Sequence, residues 1–337
     1  MQPHQTPRRA RRIRFFLLGL GLSCLCLTAC TSKPDEAPEP AAASTQGQAP
    51  MVPASIVLLA NPQVTWQRWA SGEIEYFRVP EREMEVTFGL LGYFLDHIDA
   101  PKIELVDVGC AKGDYLRRLD RHLKKPIHSL GIDPLDWPGR AEYSSFLQVA
   151  IANQEPGQAE FHLYGGHDLA TSSLVRLKSE NVSHSEDEKD EKFYHPIAIE
   201  TERGTITVDV VPLAKVVEDN DLQDSVIHFL KIDVQGTDLG SFLSLDDYVG
   251  NVLFFQIESI LSDKESHKLY EGQVLFEEEK RLLEKLGFRI FNVAPFPAGP
   301  EADVMWVNTK LLGELWPQVL KNVAATDGSA PDAPAVD

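Results

Sequence analysis

Leu105-Val106-Asp107-Val108-Gly109-Cys110-Ala111-Lys112-Gly113-Asp114 decides the fold: an apolar run meets a two-glycine turn and then a stretch able to form a helix. A buried parallel strand that ends this way leaves backbone N–H groups and a helix N-terminus facing a crevice, where a nucleotide-like cofactor can sit. Further on, Gly131-Ile132-Asp133-Pro134 ends a second apolar strand with a carboxylate. That residue type holds ribose hydroxyls at this point of such folds. Together the two segments predict a pocket for a nucleoside cofactor.

The turn argues against a dinucleotide. That fingerprint wants glycine at three places so that the backbone can approach a pyrophosphate, and here the second and third places hold Ala111 and Asp114. A carboxylate at Asp114 repels a pyrophosphate but not the amino group of a cofactor such as S-adenosylmethionine. No G-x-x-x-x-G-K-[ST] run occurs, so a triphosphate-cradling loop is not indicated.

Around this turn the apolar pattern alternates between short runs and helical spacing. Strands are expected at Glu104–Val108, His128–Ile132, Phe146–Ile151, Ile227–Ile232, Val252–Ile257, Arg289–Val293 and Val304–Asn308. Helices are expected at Glu81–Ile98, near Tyr115–Lys124 and at Glu271–Leu286. Such alternation predicts an α/β fold with a doubly wound, mostly parallel seven-stranded sheet. The last two strands are joined by Pro295–Pro300, too short for a helical crossover, so the final strand must run antiparallel. Glu160–Tyr164, Ile197–Thr201 and Thr205–Val211 are expected to form a small β insertion, turned at Arg203-Gly204. Residues 178–192, rich in Ser, Glu and Asp, are expected to form a mobile acidic loop.

Four islands, Asp107 to Tyr115, Gly131 to Pro134, Leu230-Lys231-Ile232-Asp233-Val234-Gln235-Gly236 and Phe255-Gln256-Ile257-Glu258, followed by Leu286-Gly287-Phe288 and Asp303 to Asn308, resemble the FkbM-type S-adenosylmethionine-dependent methyltransferases. The likeness spans about residues 80 to 310. It implies a class I methyltransferase-like fold, S-adenosylmethionine as cofactor, and methylation of a hydroxyl on a small-molecule or glycan acceptor. The chain departs from the family at Cys110-Ala111, where Ala-Asn is usual, and at Asp133, Ala214 and Asp238. A tethered binding module that keeps the fold without transfer is the alternative reading.

Candidate site residues follow from both sources. Asp107, Gly109, Cys110, Gly113, Asp133 and Ala150 are expected to bind the cofactor. Asp233 and Glu258 sit at predicted strand ends, where open α/β sheets carry their chemistry, and are the catalytic candidates; each could instead cap the following turn. Lys231 shares a strand face with Asp233 and is expected to pair with a carboxylate. Ser172 and Ser173 match a serine pair of the family and, with Gln235, are expected to touch the acceptor. The ten histidines show no H-x-x-x-H spacing and the cysteines no usable C-x-x-C, so no metal site is expected.

The amino-terminal segment reads as an address. Arg8, Arg9, Arg11, Arg12 and Arg14 precede an apolar run from Phe15 to Leu27, and Leu27-Thr28-Ala29-Cys30 closes it. The run is shorter than the roughly 20 residues a transmembrane helix needs. It resembles a bacterial lipoprotein signal over 1–29, with Cys30 acylated, a flexible tether over 30–53, the methyltransferase domain over 54–321 and a disordered tail over 322–337. By resemblance to lipoprotein sorting in Gram-negative bacteria, Thr31 after the cysteine favours the outer membrane. Initiation at Met51 would instead leave the domain cytoplasmic. With a formal charge of −19 over 337 residues, the chain repels nucleic acid, which is excluded as a substrate.

Overall fold

The computed structural model describes residues 61–164, 169, 171–178, 203–297 and 300–327, with the side chains of Arg82, Thr326 and Asp327 left aside. Its elements in chain order are α1 (Pro62–Ala70), β1 (Phe77–Arg78), α2 (Glu85–His97), β2 (Ile103–Val108), α3 (Asp114–Asp120), β3 (Ile127–Ile132), β4 (Ser145–Leu147), β5 (Ala150–Ile151), β6 (Gly157–Leu163), β7 (Gly204–Val211), α4 (Leu213–Asp219), β8 (Ile227–Ile232), α5 (Asp238–Leu243), β9 (Val252–Ile260), α6 (Phe276–Lys285), β10 (Phe288–Pro295), β11 (Glu301–Asn308) and α7 (Thr309–Asp327).

Eight strands form the main sheet in the order β1-β10-β11-β9-β8-β2-β3-β4. Only β11 runs against the others, paired antiparallel with both β10 and β9. The order reverses between β2 and β8, which pair in parallel. A crevice therefore opens beyond the carboxyl ends of those two strands. Six of the seven expected strands are present in this sheet with the same or longer ends, the third in part as β4, and the two-residue β1 adds an eighth beside β10.

Helices cover both faces, which explains why β2 and β8 are buried along their whole length and read as near-continuous apolar runs. One face is covered by α1, α2, α3 and α7, the other by α4, α5 and α6. α1 was not foreseen. It starts at Asn61, whose side chain accepts a hydrogen bond from Val64 N at 3.1 Å, with proline in its first turn. It buries Trp66 and Trp69, whose indoles donate to the carbonyls of Leu90 and Ile290, each at 3.0 Å. α2 begins later than expected because residues 81–83 form a separate 3-10 turn. α7 runs past the domain boundary placed at residue 321 and buries Val323, while Asn322 donates to the carbonyl of His97 at 2.8 Å. The tail expected from residue 322 therefore starts as helix.

The strand expected over Phe146–Ile151 is two strands in two sheets. β4 pairs with β3, whereas β5 pairs in parallel with β7. β7 in turn pairs antiparallel with β6, giving the order β5-β7-β6. This second sheet is the expected insertion, but its hairpin partner is Gly157–Leu163; Ile197–Thr201 and nearly all of the acidic loop, from residue 179 on, lie outside the described residues.

Candidate active site

A cavity of about 330 Å³ opens where β2, β3 and β8 end. Its floor is the turn Val108 to Lys112, its apolar side comes from residues such as Ile132, Leu135, Trp137, Val149, Phe161 and Leu174, and its polar side carries Lys231, Asp233, Gln235, Gln256 and Asp303. Asp114 and Arg118 of α3 stand at the same cavity.

The floor is built by backbone geometry. Gly109 has φ +70, and a Cβ there would lie 1.8 Å from the Asp233 carbonyl oxygen, so the two turns approach as only glycine permits. Asp133 ties the floor to the next strand. Its Oδ2 accepts from Ala111 N at 3.1 Å and its Oδ1 from Leu135 N at 2.9 Å. Burial pushes its carboxyl upward, against the pull of those backbone donors. With Trp137 acting as a further side-chain donor, three of the roughly four acceptor sites of a carboxylate are taken, which leaves capacity for a ribose hydroxyl. An apolar wall for a base, that unfinished carboxylate and a lining rich in Asp fit an adenosine carrying a cationic sulfonium. The cavity thus suits S-adenosylmethionine, with Gly109, Cys110, Asp133 and Ala150 among the residues that would hold it.

Two residues expected there take other roles. Asp107 is fully buried and does not line the cavity: its Oδ2 accepts from the Tyr143 hydroxyl at 2.5 Å, and its Oδ1 faces Lys231 Nζ at 3.6 Å. The Tyr143 ring packs on Gly131, where a Cβ would come within 2.7 Å of it. Gly113 also lies outside the lining; at φ +75 it turns the chain into α3. Cys110 is a free thiol raised by burial, first of all, and is an inert part of the floor.

On the polar side, Lys231 Nζ donates to the Gly109 carbonyl at 2.9 Å and lies 3.3 Å from Asp233 Oδ2. Burial works against its charge, but Asp233 and Asp107 hold it protonated. The expected pairing of Lys231 is thus observed. Gln235 Nε2 donates to Asp233 Oδ1 at 2.7 Å, and the Tyr270 hydroxyl donates to Gln235 Oε1 at 2.8 Å. The capping role weighed for Asp233 belongs instead to Asp238, which accepts from Val234 N and Gly236 N, each at 3.0 Å.

Glu258 is displaced from the expected site. β9 does not end at Ile257 but pairs with β11 as far as Ile260, opposite Glu301. Glu258 is therefore inside the ladder, hydrogen-bonded to Glu301, its carboxyl raised first by burial and then by that neighbour's charge. Ser172 lines the cavity; Ser173 does not, being fully buried and donating to the Gln235 carbonyl at 2.5 Å. Gln256 and Asp303 were missed as site residues, although both lie in islands singled out by the sequence. Among the described residues no group of His, Cys, Asp and Glu is placed to hold a metal ion.

Fold and site together define a Rossmann-like α/β protein with a crevice suited to a nucleoside cofactor. The model of the methyltransferase FkbM domain matches residues 107–290, and the chain belongs to that family of S-adenosylmethionine-dependent methyltransferases. Among curated proteins none matches the chain. Among solved structures it is similar to the 1,6-didemethyltoxoflavin-N1-methyltransferase of Burkholderia thailandensis, solved with 1,6-didemethyltoxoflavin and S-adenosylhomocysteine. That similarity has 11% identity, covers 78% of this chain and 96% of that chain, and has a TM-score of 0.26.

Proposed function

We propose that the chain methylates a hydroxyl oxygen of a small molecule or glycan at the polar end of this cavity. The observation that carries the reading is the division of one cavity into an apolar half beside Asp133 and a polar half around Asp233. Bound S-adenosylmethionine supplies an electrophilic methyl group. The protein's part is to hold an acceptor oxygen at near-attack distance and to receive its proton, worth several kcal/mol and roughly 10²–10⁴-fold respectively. Asp233, fixed by Lys231 and Gln235, is placed to orient the hydroxyl; Ser172 borders the same space. Carboxylate and carboxamide groups suit hydroxyl donors better than an apolar acceptor.

The test is to incubate the full chain with S-adenosylmethionine labelled with ¹³C at the methyl carbon and a pool of simple glycosides and polyols. Label in the methoxy region of the carbon spectrum is the expected result; no label there would overturn it. By calorimetry S-adenosylmethionine should bind wild-type protein, and Asp133→Ala should weaken it about 10- to 100-fold, the worth of a hydrogen bond to a charged group. No heat at millimolar cofactor would favour a binding module without transfer.

We further propose that acyl groups on Cys30 hold the domain at a bacterial envelope, the outer membrane in particular. The motif at Leu27 to Cys30 supports this. A palmitate analogue should label wild-type protein in cells but not Cys30→Ala; unlabelled wild type would point to a cytoplasmic product begun at Met51.

A further inference from the structure

The polar end of the cavity contains a carboxylate delivered by the strand that runs the wrong way. Asp303 lies near the start of β11, in register opposite Glu258, and lines the cavity with Asp233 and Gln256. Because β11 is antiparallel, its beginning reaches the carboxyl end of the sheet, where a parallel strand would bring its end.

The two cavity carboxylates are dressed differently. Both oxygens of Asp233 are engaged, Oδ1 by the Gln235 amide and Oδ2 by the Lys231 ammonium. Among the described residues no Lys or Arg nitrogen lies within ion-pair distance of Asp303; its hydrogen-bond partner is Gln256. The amide orientation there is set from behind. The Tyr115 hydroxyl donates to Gln256 Oε1 at 2.5 Å, which leaves the amide NH₂ to face Asp303. A carboxylate with one donor keeps basic lone pairs; one clasped by an ammonium and an amide has spent them.

The groups facing Asp303 are Asp233 and Lys231 from β8 and its loop, Gln256 and Glu258 from β9, Tyr115 and Arg118 from α3, and Glu81 from the turn before α2. Burial, then the Asp233 charge, push its carboxyl up to about 7, against the attraction of Lys231. Two neighbouring carboxyls with different surroundings divide acid–base and orienting roles.

We propose that Asp303, positioned by the Tyr115–Gln256 relay, is the group that takes the proton from the acceptor hydroxyl, while Asp233 with Lys231 orients that acceptor. This rests on the O-methylation reading above. Asp303 receives the hydroxyl proton as the oxygen lone pair forms the new C–O bond, and the electrons of the broken S–C bond return to the donor's sulfur. No further reactant is needed.

The first test needs neither cofactor nor acceptor: carbon NMR of the full chain labelled at the aspartate side-chain carboxyls, titrated with pH. Asp303 and Asp238, whose carboxyl burial also pushes up to about 7, should titrate near neutrality, while burial raises Asp107 and Asp133 as well. Asp303→Asn should remove one of them. Asp233→Asn should move the Asp303 signal to lower pH, because a repelling charge is gone. The second test is methoxy labelling of the glycoside pool at pH 6 and 8. Wild type should be faster at pH 8, Asp303→Asn should lose about 10²–10⁴-fold in turnover with S-adenosylmethionine affinity unchanged, and Asp233→Asn should retain the pH dependence shifted downward.

Both near-neutral signals persisting in Asp303→Asn, or that variant labelling at the wild-type rate, would overturn the assignment while leaving O-methylation standing. Wild type that labels no hydroxyl would instead end the O-methylation reading and the base assigned within it. Should Asp303→Asn fail to fold, the pH dependence of wild-type labelling decides the matter: equal rates at pH 6 and 8 would overturn the assignment.

Discussion

Two adjacent turns close the carboxyl ends of β2 and β8, and they are built on opposite plans. The turn after β2 runs through Gly109, Ala111 and Gly113, all at positive φ, and borrows Asp133 from β3 to bind its backbone. The turn after β8 has Gln235 at φ +61 and Gly236 at φ +97, and it is tied by its own downstream residue, Asp238. The first turn presents mainly backbone to the cavity; the second, held by Asp238 and by Ser173 on its Gln235 carbonyl, presents the side chains of Asp233 and Gln235. A cofactor shared by many enzymes can be gripped by backbone, whereas an acceptor must be recognised by side-chain chemistry.

The largest effect should come from breaking the seam between the turns. Gly109→Ala drives a Cβ to 1.8 Å from the Asp233 carbonyl, which cannot be relieved without parting β2 from β8. A loss of about 4 kcal/mol or more is expected, since steric overlap adds to the cost of a left-handed alanine. Gly113→Ala is the control: it has the same sign of φ, but the nearest atom to its Cβ is 3.5 Å away. Its cost should be about 1–2 kcal/mol. Denaturant midpoints of the two variants check this, and equal shifts would mean that the seam is not the constraint.

That contrast also shows what the sequence could disclose. Gly109 and Asp133 were legible because one strand, one turn and one helix are local, and glycine at a strand end has few other uses. The fate of Phe146 to Ile151 was not legible, because an apolar run does not say which strand it will pair with, and β5 finds Val210 and Val211 far along the chain. Glu258 was misplaced for a related reason: β9 is prolonged by β11, a partner supplied by the end of the chain. Asp303 could be seen only as a strand residue until the sheet order placed β11 beside the crevice. α1 carries a cap and a proline, a local helix-start signal written in the sequence at Asn61 and Pro62.

The opposite ends of the same two strands offer a pH test. At the amino end, Glu104 N donates to His228 Nδ1 at 3.0 Å, and burial pushes the His228 imidazole down to about 4. The folded state therefore holds this ring neutral where the unfolded chain would protonate it. Its stability contribution is complete above the unfolded value near 6.5 and is lost as pH falls from there to 4, by about 3 kcal/mol in full. His228→Asn should be less pH-sensitive than wild type across that window in denaturation midpoints, with no change in cofactor affinity. Parallel curves would show that the seam is not held by the neutral ring.

The smallest expected effect separates the two aspartates that tie the turns. Asp133 and Asp238 each accept two backbone N–H groups and are equally buried, so hydrogen-bond number alone assigns them the same worth. Their surroundings differ. Asp238→Ala strands Val234 N and Gly236 N beneath Tyr270, which packs against Gly236, and leaving buried donors unsatisfied should cost about 2 kcal/mol. Asp133→Ala strands Ala111 N and Leu135 N beside the open cavity, where water can replace the carboxylate. Its stability cost should be about 1 kcal/mol, with the larger loss appearing in S-adenosylmethionine affinity. Paired denaturation and calorimetry on the two variants should give opposite rankings. If Asp238→Ala weakened the cofactor as much as Asp133→Ala, the second turn would be shaping the cofactor half of the cavity too, and the division of labour between the turns would fail.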